Sequence, residues 1–173
     1  MFMNNISKTF VMTIGNAQRL KSSDVIDVQF DNVNLIQVTS QKMLGVEIDQ
    51  HLKWKKQIDI VCLNISRKIT LMKTLSRYVD QNTLKQYYNA YILPIMDFCC
   101  PVWGYCSAEC TGKILKLQKR AARIVLKATL DTPSHILFST LGWLTFPDRV
   151  KYHTGIMVYK ALHKQTPSYT DEI

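Results

Sequence analysis

Apolar and polar positions alternate along the first fifty residues and then fall into a three-and-four spacing, which predicts strands followed by helices. Phe10–Ile14 is a short β-prone run that stops at Gly15-Asn16. Val25–Phe30 alternates as a half-buried strand does, and Asp31-Asn32 is a turn signal that lets Val33–Val38 fold back on it. Met43–Ile48 is a third strand candidate, ended by Asp49-Gln50.

From Trp54 onward the period changes. Trp54, Ile58, Val61, Cys62, Ile65, Ile69 and Met72 share one helical face, with no Gly or Pro before Tyr78. Asp80 is the expected N-cap of a second helix, and Pro94 can be carried only at a kink or a new start. The bulky stretch from Pro94 to Tyr105, with Ile95, Met96, Phe98, Val102, Trp103 and Tyr105, is expected to cross the interior. A third long helix is expected over 111–127, a short one from Pro133 to Leu141 closed by Gly142, and a last one opened by Pro147 and running to about Lys164. The expectation is therefore an α+β fold, mostly α. A small antiparallel N-terminal sheet would occupy residues 1–52, and a helical bundle residues 53–173.

Composition changes this picture little, but charge changes it more. Hydrophobic residues are 47% and charged residues 20%, a globular balance. No apolar run approaches a membrane span, so no membrane insertion is expected. The first residues lack the basic and apolar regions of a secretory signal, and an intracellular home, cytoplasmic or nuclear, is expected. The net charge of +9 favours an acidic partner, nucleic acid first.

The excess is concentrated. Lys113, Lys116, Lys119, Arg120, Arg123 and Lys127 occur without an intervening acid. At 100° per residue they fall within about a third of the helix circumference. Solvated faces usually mix both signs, whereas a single-sign stripe suits a phosphate backbone. The first long helix adds Lys55, Lys56, Arg67 and Lys68. Contacts of this kind would be salt-dependent and sequence-tolerant.

The catalytic inventory is negative. The 13 acidic residues include no adjacent Asp-Asp pair for two-metal nucleotidyl transfer. Gly-x-Ser-x-Gly and phosphate-cradling Gly-rich loops are absent, and the four histidines are isolated. Asp24, Asp27 and Asp31 border a strand and turn, where acids are common. The five cysteines, Cys62, Cys99, Cys100, Cys106 and Cys110, are odd in number and include no Cys-x-x-Cys pair, so neither a disulfide framework nor a zinc site is expected. No catalytic residue, metal ligand, resident cofactor or small-molecule substrate is expected of this chain.

The order of segments resembles the region downstream of the catalytic motif in reverse transcriptases of non-LTR (LINE-type, jockey-like) retrotransposons. Asn5-Ile6-Ser7-Lys8-Thr9 is similar to the segment after their Tyr-x-Asp-Asp loop. Met43-Leu44-Gly45-Val46-Glu47-Ile48-Asp49 with Leu52-Lys53-Trp54 resembles the element that leaves the palm for the thumb. Tyr91–Phe98 and Cys100-Pro101-Val102-Trp103-Gly104 resemble a signature of the following helical region. Leu117–Ile124 resembles its basic helix, and Leu141–Leu144, Arg149 and Tyr159–His163 resemble its tail.

The resemblance runs from about Asn5 to Tyr169. It implies residual palm strands, then a thumb and post-thumb bundle that cradles a primer–template duplex. It also implies that the catalytic aspartates and their Mg²⁺ belong to a preceding palm, so that this chain is a fragment and not itself an enzyme. Lys8 aligns with a palm lysine that assists the leaving pyrophosphate, a role idle without those aspartates. Two alternatives remain: a co-opted helical module binding protein or anionic lipid through a patch around Tyr87, Tyr91, Trp103 and Tyr105, or a non-functional remnant.

Overall fold

The computed structural model describes residues 8–16, 18, 20 and 27–167. The fold is α+β and mostly α. Two compact units divide the chain, within Met1–Gln57 and Ile58–Ile173.

The first unit holds short strands. β1 (Phe10–Val11) pairs with β4 (Ile36–Gln37), and β2 (Gln29–Phe30) pairs with β3 (Val33–Asn34). β5 (Ser40–Met43) pairs with β6 (Val46–Asp49). The single antiparallel sheet expected from the alternation is thus three two-stranded ladders among the described residues, and the β1–β4 ladder is parallel. The start of the expected strand, Val25-Ile26, lies outside the described residues, as do Asn5–Ser7, Asp24 and Tyr169.

Both hairpins use the same turn chemistry. Asp31 and Asn32 adopt φ of 49° and 59°, and Leu44 and Gly45 adopt 46° and 90°. Two consecutive positive φ values match the right-handed twist of the flanking strands. The run Met43–Ile48, read as one strand, is therefore split by a tight turn at Leu44-Gly45, a position where leucine gives no turn signal.

The β6 end is tied by a carboxylate. Asp49 accepts from the backbone N–H groups of His51 (3.1 Å), Lys53 (3.1 Å) and Trp54 (2.8 Å). These bonds hold a loop in which Leu52 and Trp54 both take positive φ, 52° and 61°. That local strain needs such compensation. The Asp…Leu-x-Trp spacing is the sequence trace of this clamp.

The second unit is helical. α1 (Lys55–Leu75), which begins in the first unit, buries Ile58, Val61, Ile65, Ile69 and Met72, the face expected from the spacing. Asp80 caps α2 (Gln81–Tyr87) by accepting from the Thr83 N–H at 2.8 Å. The helix then widens into a π turn, Tyr88–Ile92, before α3 (Leu93–Asp97). Pro94 explains this, because it has no N–H to return to the preceding turn and the register must change there.

α4 (Cys100–Trp103) follows a left-handed Cys99 at φ 52°. Trp103 is fully buried, donates Nε1–H to the Phe98 carbonyl at 2.8 Å and stacks on Phe146. The expected interior crossing is correct for Met96 and Trp103 but not for Phe98, Val102 and Tyr105, which are at least half exposed. Short helices present only one side inward, so alternate bulky residues face water.

α5 (Ala108–Leu126) is capped by Ser107 and ends at a left-handed Lys127. α6 (Ser134–Leu141) ends at Gly142 with φ 67°, and α7 (Phe146–Leu162) carries Pro147 in its first turn. α5 packs against α2, α6 and α7, while α4 packs against α7. That last approach requires Gly104. A Cβ there would lie 2.5 Å from both the Cys100 carbonyl oxygen and Val150 Cγ2.

Candidate nucleic-acid interface

α5 divides its circumference cleanly. Cys110, Ile114, Gln118, Ala121, Ala122 and Val125 are buried. At 100° per residue they centre about 180° from the basic residues. Lys116, Arg120 and Lys127 are exposed, and Lys119 is half-buried beside them. None of these four has an ion-pair partner among the described residues. From Lys116 to Lys127 the stripe extends about 16 Å at 1.5 Å per residue.

The other two expected members of the stripe are committed within the protein. Lys113 donates to Asp59 at 2.9 Å, joining α5 to α1, and the carboxylate holds its ammonium pKa above the usual value. Arg123 turns its guanidinium onto the loop after the helix, with Nη2 3.2 Å from the Leu130 carbonyl and 3.4 Å from that of Thr132. A cation at a helix C-terminus suits the helix dipole.

The α1 cations do not form a second stripe. Lys55 and Arg67 are exposed, but Lys56 pairs with the buried carboxylate of Glu47. Lys68 stands 5.6 Å above the Tyr91 ring. On the helical wheel these four spread around most of the circumference left free by the buried face. Lys8 is exposed, two residues before β1.

Of the apolar patch expected around Tyr87, Tyr91, Trp103 and Tyr105, Tyr91 and Tyr105 are exposed. Trp103 is fully buried, and Tyr87 is half-buried with its hydroxyl on the Lys68 carbonyl at 3.2 Å.

Two polar arrangements escaped the sequence reading. Asp97 on α3 receives Arg149 of α7 through two bonds, from Nε at 2.6 Å and Nη2 at 2.5 Å. Gln118, fully buried on α5, donates to the Tyr88 hydroxyl (3.1 Å) and the Leu144 carbonyl (2.8 Å) and accepts from Phe146 N–H (2.9 Å). Both N–H donors and the carbonyl oxygen are used, and the start of α7 is fixed to α5. The available signal for Gln118 was a polar residue on the buried face, four after Ile114 and three before Ala121.

Asp97, Cys100 and His153 place one possible ligand atom each within 4.8 Å of one another. The chemistry favours an ion-pair centre over a metal site. Both Asp97 oxygens are occupied by Arg149, and burial, with Asp97 nearby, pushes the Cys100 thiol up to about 11, so it is protonated at neutral pH. Burial likewise holds the Cys62 thiol at about 11.

Among the described residues, no helix is long and apolar enough to cross a membrane. Comparison with protein-family models, curated proteins and solved structures finds no match to this chain.

Proposed function

We propose that this chain corresponds to the end of the palm, the thumb and the post-thumb region of a non-LTR retrotransposon reverse transcriptase. In this reading it carries none of the catalytic aspartates. Its own role is sequence-independent binding to the backbone of a primer–template duplex. The observation that carries the proposal is the one-sided α5 helix, with Lys116, Lys119, Arg120 and Lys127 opposite a fully packed face.

The ordered motif set gives the reading its polymerase context, and the unpaired cations give it a chemistry. Lysine and arginine displace condensed counterions from phosphates and supply affinity without reading bases. Lys113, Arg123 and Lys56 already have protein partners, so their part in binding is secondary.

Fluorescence anisotropy with a labelled RNA–DNA primer–template tests the proposal. Lys116→Glu with Arg120→Glu is expected to weaken binding at least tenfold while helix content stays unchanged. Equal affinity of this variant and the unaltered chain would refute the assignment of α5.

A further inference from the structure

A cavity of about 560 Å³ opens among α2, the π turn, α3, the α6–α7 connection and α7. That volume is in the range of small-ligand sites. Lys85 and Arg149 border it, and no carboxylate among the described residues does. Lys85 has no ion-pair partner among those residues. Arg149 spends Nε and Nη2 on Asp97, which fixes the guanidinium plane and leaves Nη1 without a protein partner among them. A guanidinium oriented in this way is well suited to an oxyanion.

The remaining wall is aromatic and aliphatic. Trp143 is half-buried and backed by Tyr88, their rings 3.6 Å apart and 12° from parallel. Tyr152 is 54% exposed, and Leu93 and Leu144 complete the apolar side. Cations beside aromatic rings define the class of ligand: a planar ring joined to an anion.

We propose that this cavity binds one nucleotide, its base against Trp143 and Tyr152 and its phosphate on Lys85 and Nη1 of Arg149. The nucleotide is either a free mononucleotide or the unpaired terminal residue of a strand. The site is separate from the basic face of α5, and the proposal does not rest on that face.

The test is titration of the whole chain with adenosine monophosphate, followed by tryptophan fluorescence. Saturable quenching is expected, and Trp143→Phe should remove most of it. Lys85→Gln, on a half-exposed helix position that tolerates the change, should weaken binding about tenfold through loss of one charge-assisted contact. It should leave duplex affinity at α5 unaltered, so failure here is distinguishable from failure there. Displacement of the mononucleotide by a 5′-phosphorylated single strand supports the strand end as the source, and its absence supports a free nucleotide. Absence of saturable quenching, unchanged affinity in Lys85→Gln, or inorganic phosphate binding as tightly as the nucleotide would each overturn the proposal.

Discussion

Arg149 grips Asp97 with two parallel hydrogen bonds, Nε to Oδ1 at 2.6 Å and Nη2 to Oδ2 at 2.5 Å, and so ties α7 to α3. The side chains are only 16% and 20% exposed, and His153 Nε2 lies 3.4 Å from Asp97 Oδ1. Burial penalises both charges, so the pair is held by its geometry rather than by charge alone. Removing one partner strands the other. Asp97→Ala is therefore expected to cost about 2–4 kcal/mol, read from the urea midpoint. A double-mutant cycle with Arg149→Met should give a coupling above about 1 kcal/mol. Additive single effects would mean that the pair contributes little.

Gln118 is a second joint between helices. Gln118→Leu keeps the volume but leaves Phe146 N–H, the Leu144 carbonyl and the Tyr88 hydroxyl without their partner. Each stranded buried group costs about 1–3 kcal/mol, so the substitution should lower stability by more than about 2 kcal/mol. Gln118→Glu should be disruptive too, because it replaces a buried donor with a carboxylate oxygen facing the Leu144 carbonyl, which can only accept. Near-native thermal stability of either variant would contradict this role.

The Asp49 clamp makes a prediction about acid. Burial acts to raise this carboxyl pKa, but the N–H groups of Lys53, Trp54 and His51 outweigh it and hold the group below its ordinary value. A depressed folded-state pKa stabilises the fold fully above the unfolded value of about 3.9, and that stabilisation is lost as pH falls through the folded value. In an NMR titration the amide signals of His51, Lys53 and Trp54 should move together with a midpoint below about 3.9. Asp49→Asn should abolish the shared transition. A common midpoint above the ordinary value would show that the three bonds do not stabilise the ionised form.

The helical unit was largely legible in the sequence, whereas much of the strand unit was not. α1 follows from unbroken three-and-four spacing, and Asp80, Gly142 and Pro147 mark their helix ends because caps and imino acids act locally. The Leu44-Gly45 turn was hidden because leucine at φ 46° is chosen by the ladder around it and not by its own preference. Parallel pairing of β1 with β4 joins Phe10 to Ile36 and Val11 to Gln37, residues far apart in the chain, which alternation cannot specify.

The candidate interface was half legible. Helical geometry placed Lys113, Lys116, Lys119, Arg120 and Arg123 on one side of α5, with Lys127 at its left-handed cap, but it could not foresee that Asp59 and the Leu130–Thr132 carbonyls would claim Lys113 and Arg123. Tertiary partners decide which cations remain available. Asp97 and Arg149, 52 positions apart, were invisible as a pair for the same reason.

Duplex binding through Lys116, Lys119, Arg120 and Lys127, as proposed, must weaken as salt rises, because each contact releases counterions from a phosphate. With up to four phosphates neutralised, log affinity against log salt should have a slope of about −3 to −4. Replacing Lys116 and Arg120 with glutamine should make it shallower by about 2. Binding that is indifferent to salt, or a slope unchanged in that variant, would show that these cations do not bind phosphates.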